Sequence, residues 1–284
     1  MVELHDIAAL RSWTRAARAA GRRIGLVPTM GALHEGHLSL VEVARGRDTA
    51  VVMSLFVNPL QFGPTEDFGR YPRDLERDRA LARARGVEAL FIPTVDMMYP
   101  PGSETRVTPG ETASRWEGAV RPGHFTGVLT IVAKLFHLVG PDLAVFGQKD
   151  IQQAVLVRRM VRDLDWPLEI VLAPTVREPD GLALSSRNAY LDAGARQRGL
   201  TLSAGLRDAE AAWQGGERSA RRLRELVQAP MAVFPEIRVE YIAVVEPDRL
   251  TPVEVATPGT IIATAAHVGP TRLIDNLILG QDAI

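Results

Sequence analysis

Apolar residues fall into two rhythms along the chain. Short runs at Ile24–Val27, Ala50–Val57, Ala89–Ile92, Leu143–Phe146 and Glu169–Ala173 are closed by proline, glycine or asparagine. Nearly continuous, valine-rich runs of this kind suit parallel strands buried on both faces. Between them, apolar positions return at helical spacing over about 35–44, 74–85 and 126–139, and from Asp150 to about Asp163. Residues 3–20 share that spacing (Leu4, Ile7, Leu10, Trp13) and read as an amphipathic helix ending near Gly21. Strand alternating with helix predicts an α/β fold, a doubly wound (Rossmann-like) parallel sheet domain over residues 1–175. After Thr175 the rhythm changes. A polar loop, 176–190, precedes helices at about 193–213 and 218–228, and β-like segments follow at 237–245, 260–266 and 272–279. That order predicts a smaller C-terminal α+β domain with an antiparallel sheet, residues 176–284. Residues 62–73 (FGPTEDFGRYPR) hold two glycines, two prolines and several charges, and read as a mobile loop; residues 99–123 read as irregular.

Composition narrows the class. The chain of 284 residues has 46% hydrophobic and 24% charged residues and a net charge of −1. Without a Lys/Arg excess, no nucleic-acid partner is expected. The absence of cysteine excludes disulfides, thiolate metal sites and a cysteine nucleophile. No apolar run approaches the ~20 residues of a membrane span, and the N-terminal stretch mixes acids and arginines without an apolar core. A soluble, cytoplasmic protein with no membrane partner is expected.

Three stretches carry candidate chemistry. In residues 24–40, IGLVPTMGALHEGHLSL, a buried strand leads through a glycine-containing turn into a helix whose start carries His34 and His37. Parallel α/β sheets bind phosphate at such a place, a helix N-terminus beyond a strand's carboxyl end. Spacing alone leaves a metal pair or a polar cap equally open; the zinc-protease pattern H-E-x-x-H is absent, since the second histidine comes one residue early. Gly31 and Gly36 allow close approach, with helix N–H groups and imidazoles as donors. Lys149, in Gly147–Asp150 at another strand end, is a weak phosphate signal alone. Ser185, Ser186, Arg187 and Asn188 form a dense set of donors, equally readable as a helix cap and a solvated arginine. Together the three suit one nucleoside triphosphate.

Longer motifs make a resemblance specific. PTMGALHEGH (28–37) is similar to the HxGH-type signature of the nucleotidyltransferase superfamily, and LSSRN (184–188) stands where that superfamily has its second, KMSKS-like signature. With FVNPLQF (56–62), EDFGRYPR (66–73), RPGHFTGVLTIVAKLF (121–136), FGQKDIQQ (146–153), PTVREPDGLALSSRNAYL (174–191) and TRLIDN (271–276), the chain resembles the pantothenate synthetase (pantoate–β-alanine ligase) family over almost its full length. Two departures stand out: Leu184 where the family often has methionine, and Gln148 where many members have glutamate.

The resemblance implies ATP-dependent ligation of pantoate and β-alanine to pantothenate, a coenzyme A precursor, through a pantoyl adenylate, with release of pyrophosphate and AMP. It implies ATP contacts at Met30, Gly31, Ala32, Leu33, His34, Glu35, Gly36 and His37, at Gly147, Gln148, Lys149 and Asp150, and at Val176, Leu184, Ser185, Ser186 and Arg187. His37, His34, Lys149 and Arg187 take the catalytic roles, with His37 the candidate proton donor. Gln61 and Gln153 take pantoate, and Gln61 also β-alanine. Mg²⁺ is implied as a cofactor held largely by the phosphates, with no protein ligand named. The 62–73 loop is implied as a lid, and a homodimer as the assembly. A different nucleotidyltransferase would share the histidines and the Ser-Ser-Arg loop but would not need the two glutamines.

Overall fold

The computed structural model describes residues 1–64 and 66–281; Thr65, inside the 62–73 loop, and residues 282–284 lie outside the described residues. Two compact units result, one of Met1–Gly147 with Leu156–Ala173, the other of Gln148–Val155 with Pro174–Ile284.

The first unit is built on β1 (Val2–Leu4), α1 (Ile7–Ala19), β2 (Arg23–Thr29), α2 (Glu35–Arg45), β3 (Thr49–Leu55), α3 (Leu75–Ala84) and β4 (Ala89–Phe91). The short helices α4 (Val95–Met98) and α5 (Glu117–Val120), then α6 (His124–Val139), β5 (Leu143–Gly147) and β6 (Glu169–Ala173), complete it. Helix α7 (Ile151–Asp163) runs across the division at Val155. Among the described residues the strands pair in parallel in the order β1-β4-β3-β2-β5-β6. The doubly wound α/β expectation is met.

Residues 3–4 depart from the helix expected there. They join the sheet edge beside β4, and Asp6 starts α1 by accepting the N–H of Ala9 at 2.7 Å. The periodicity carried by Leu4 was therefore that of a buried strand residue. The stretch 99–123 is mostly irregular, as expected, with α5 and a 3-10 turn at Glu111–Ala113 inside it.

Burial follows the pleat. Val27, Val51, Met53, Leu55, Leu143 and Val145 share one apolar cluster with Leu38, Leu40, Val41 and Ala44 of α2. Alternate residues such as Ile24, Leu26, Val52 and Phe146 face the other side, where α1 and α6 lie against β2 and Phe136 packs edge-on to Phe146. The order of strands reverses between β2 and β5, and their pairing covers only Gly25 and Leu26 against Leu143 and Ala144. Beyond that point the two strands part. Pro28 stands there: Thr29 O bonds Phe56 N toward β3, so the proline nitrogen faces the side from which β5 has already left. A proline in a central strand thus breaks no ladder bond.

The second unit holds α8 (Ala193–Gln214), α9 (Ala220–Ala232), β7 (Ile237–Val245), β8 (Ile261–Val268) and β9 (Thr271–Ile278). Its strands form an antiparallel β7-β8-β9 sheet, as expected. Leu202, Leu206, Leu223, Val227, Ile242, Val244, Ile262 and Leu273 are among the residues of its core.

Candidate functional site

Where β2 parts from β5, the chain turns through Met30, Gly31, Ala32 and Leu33 into α2. Gly31 and Ala32 both take left-handed backbone, φ 85° and 51°. The turn is fastened from below by Asp78 of α3, only 3% exposed, whose carboxylate accepts Ala32 N and Leu33 N, each at 2.8 Å. The Cβ of any other residue at 31 would stand 2.9 Å from that carboxylate. Gly31 N in turn donates to Thr29 Oγ1 at 3.3 Å, and Thr29 Oγ1 donates to Ser54 O at 2.8 Å.

His34 caps α2, its Nδ1 accepting the N–H of Gly36 at 3.1 Å. In the neutral ring an accepting Nδ1 leaves the proton on Nε2. The His37 ring lies beside it, centroids 4.1 Å apart and planes tilted by 34°. The turn's amides at Gly31, Ala32, Leu33 and Gly36 are bonded within the unit. Both carboxylate oxygens of Glu35 accept from Arg85 Nη2, at 2.8 and 2.6 Å.

Gln61 ends a 3-10 turn, Pro59–Gln61, packed on α6. Its amide nitrogen donates to Met30 Sδ at 3.3 Å and its amide oxygen accepts from Asn58 Nδ2 at 2.9 Å. Asn58, fully buried, also donates to Gly127 O at 3.1 Å and accepts from the Tyr99 hydroxyl at 2.9 Å. Burial pushes the Tyr99 phenol up to about 12, so it stays a donor. Below, His124 Nδ1 lies 2.8 Å from Gln61 O and its Nε2 lies 3.0 Å from Arg121 Nη1. Burial first, and the Arg121 charge second, lower the His124 pKa. Arg121 also grips Glu66 at 2.7 Å through two nitrogens and Glu117 at 3.2 Å. Burial works to raise the Glu66 pKa, but the bond and charge of Arg121 outweigh it and lower it. Among the described residues of the 62–73 loop, Phe62 meets Phe68 and Tyr71 with ring centroids 5.3 and 6.0 Å apart.

Within the second unit, Gln148, Lys149 and Asp150 form a 3-10 turn leading into α7, where Gln153 is half-buried in the first turn. Asn276 Nδ2 on β9 donates to Gln148 O at 2.9 Å and Lys149 O at 3.0 Å, and Asn276 Oδ1 accepts from Gln148 Nε2 at 3.2 Å. Val176 and Leu184 face each other across a hairpin, Leu184 N bonding Val176 O at 2.9 Å. Arg177, on the same hairpin, forks onto Asp275 at 2.6 and 3.0 Å. Ser185 caps a 3-10 turn over Ser186–Tyr190 by accepting the N–H of Arg187 at 3.2 Å. His34, His37, Met30 and Gln61 thus belong to the first unit, and Gln148, Lys149, Gln153, Val176, Leu184 and Ser185–Arg187 to the second. Gly147 closes β5 in the first unit. Asp78 and Tyr99 escaped sequence reasoning, and Asn58, His124, Asp275 and Asn276 entered it only inside motifs that gave them no role, because each acts through a partner far along the chain.

The fold and this turn define a class: a doubly wound parallel α/β protein with a histidine-bearing helix start at its switch point. A model of the family described as pantoate-beta-alanine ligase matches residues 3–278, and the chain belongs to that family. The pantothenate synthetase of Acidobacterium capsulatum is 56% identical over 260 residues, 92% of this chain and 87% of that protein. A crystal structure of pantothenate synthetase from Thermus thermophilus superposes with a TM-score of 0.91 at 50% identity, covering 98% of this chain and 99% of that one. A pantoate-beta-alanine ligase from Francisella tularensis, complexed with beta-gamma ATP and beta-alanine, gives a TM-score of 0.80 at 32% identity, covering 98% and 97%.

Proposed function

We propose that the protein joins pantoate to β-alanine at the expense of ATP. A pantoate carboxylate oxygen attacks the α-phosphorus and pyrophosphate leaves, giving pantoyl adenylate. The β-alanine amine then attacks the acyl carbon, forming the amide and releasing AMP. What carries the reading is the family match over nearly the whole chain together with the histidine turn at the switch point.

Charge accumulates on the non-bridging oxygens of the α-phosphate and on departing pyrophosphate, so fixed donors are the main requirement. We assign that task to His34 and His37, with His37 protonating the leaving group, and to Lys149, Ser185, Ser186 and Arg187. The main chain of residues 30–37, 147–150, 176 and 184 borders the nucleotide. Gln61 and Gln153, whose amides both donate and accept, take the hydroxyl and carboxylate groups of pantoate, and Gln61 also meets β-alanine. Residues 1–175 are assigned as the ATP- and pantoate-binding domain and 176–284 as the smaller domain carrying the Ser-Ser-Arg loop, a functional division that differs from the two compact units, in which Gln148–Val155 and residues 174–175 belong with the second. Among the described residues no group of three or more His, Asp or Glu forms a cage for an ion. The assigned donors suit an anion rather than a bare dication, so Mg²⁺ is assigned to the phosphates of ATP and no step is routed through it. No described helix is long and apolar enough to cross a membrane; a cytoplasmic homodimer is part of the same reading.

The test is pantoate-dependent exchange of labelled pyrophosphate into ATP. His37→Ala should lose about 10²–10³-fold in exchange rate, the usual cost of one transition-state donor, with its melting temperature little changed. Exchange that proceeds without pantoate, or an unimpaired His37→Ala, refutes the assignment. Gln153→Ala should raise the KM for pantoate and leave that for ATP.

A further inference from the structure

We propose that Asp275 and Asn276, adjacent on β9, are positioning residues: Asn276 sets the turn that presents Lys149, and Asp275 sets the root of the hairpin that leads to Ser185–Arg187. The inference rests on the assignment of Lys149 and Arg187 to the phosphates made above.

Both side chains are buried, at 4% and 2% exposure. Successive residues of a strand point to opposite faces, so one strand addresses two separate segments. Asn276 uses both amide hydrogens on consecutive carbonyls, Gln148 O and Lys149 O, while its oxygen takes the Gln148 amide. Holding two consecutive carbonyls fixes both peptide planes, and with them the direction in which the Lys149 side chain leaves the chain. Only an amide supplies two donors and an acceptor from one planar head; aspartate, of the same shape, would set an acceptor against two carbonyls.

On the other face, Asp275 holds both terminal nitrogens of Arg177, a fork-on-fork pair that fixes orientation as well as position. Arg177 also donates to Gly181 O at 3.2 Å across its own hairpin. The hairpin is closed by Glu178 N on Leu182 O at 2.8 Å and Leu184 N on Val176 O at 2.9 Å. Asn188 then ties the Ser-Ser-Arg turn back to it, through Glu178 Oε1 at 2.7 Å and Ala183 O at 3.1 Å. Hydrogen bonds thus link Asp275 to the turn that carries Arg187.

The experiment compares Asn276→Asp, Asn276→Ser, Asp275→Asn, Lys149→Ala, Arg187→Ala and the doubles Asn276→Asp/Lys149→Ala and Asp275→Asn/Arg187→Ala, by pyrophosphate exchange, steady-state kinetics of the overall reaction and thermal melting. A misplacement near 1 Å costs about 10²-fold. Asn276→Asp should therefore lower kcat/KM for ATP by roughly ten- to a hundred-fold, leaving the KM for β-alanine unchanged. Asn276→Ser, which keeps one donor, should recover part of the loss. On the Lys149→Ala background Asn276→Asp should change the rate less than about twofold, since a residue acting through another cannot act twice; Asp275→Asn should behave likewise on Arg187→Ala. Full additivity in the doubles, wild-type kinetics in Asn276→Asp, or failure of both Asn276 variants to fold overturns the inference. Should Lys149→Ala and Arg187→Ala themselves leave exchange intact, the phosphate assignment is what fails.

Discussion

Gly127→Ala puts packing and catalysis in opposition to helix propensity. Gly127 lies in the first turn of α6, where alanine would ordinarily gain about 1 kcal/mol. Here an added Cβ would fall 2.2 Å from Leu60 O, 2.4 Å from Leu60 C and 2.6 Å from Gln61 N. Carbon atoms pack at about 3.5–4.0 Å, so the 59–61 turn must retreat by roughly 1 Å. All three atoms are backbone, and no rotamer change relieves them. Overpacking of a tight contact costs about 1–3 kcal/mol; the upper end less the propensity gain leaves about 2 kcal/mol of net loss. At roughly 2–4 °C per kcal/mol for a chain of this size, that is a fall of about 4–8 °C in Tm. The displaced turn carries Gln61, so kcat/KM for pantoate should fall by about 10²-fold, with the KM for ATP less affected. Melting curves and steady-state kinetics check both, with Gly110→Ala, which meets nothing within 4 Å, as control. A variant that melts above the parent with unchanged kcat/KM refutes the reasoning.

Asp78→Asn keeps the shape but turns an NH₂ group against one of the two amides it held. It should cost about 1.5–3 kcal/mol and reduce pyrophosphate exchange, and a denaturant melt with unchanged midpoint would count against the clamp. Acid should destabilise the protein. The lowered His124 pKa means the unfolded chain takes up a proton first, so its contribution is full above about 6.5 and is lost as pH falls. Glu66, whose lowered pKa has the opposing causes of burial and Arg121, contributes above about 4.5 and loses that contribution as pH falls through its folded value. Urea midpoints measured from about pH 8 down to about pH 3 should drop, the upper part of the drop flattening in His124→Gln and the part below about 4.5 in Glu66→Gln. A midpoint that rises on acidification contradicts this.

How far the sequence reached depends on the range of each signal. Local rhythms located β2, β3, β5 and the antiparallel C-terminal sheet, because burial on both faces or on one writes itself into consecutive residues. Leu4 misled, since a three-residue edge strand is too short to show a period of two beside a strong helix. Pro28 was legible only as punctuation; that it stands inside a strand depends on β5 having left, which is a property of the sheet. The histidine turn and the Ser-Ser-Arg loop were visible as motifs, but not their fastening. Asp78 looks like one more acid on the charged helix that holds it, and Asn276 closes the TRLIDN motif, which marks it without giving it a task. Their roles come from bonds 45 and 46 residues away for Asp78, and 127 and 128 for Asn276. Motif residues are those that chemistry requires in one local order. The residues that aim them need the right place in space, so even where a motif contains them, as TRLIDN contains Asp275 and Asn276, their task is read only from the fold, and the predictions above fall mainly on that second group.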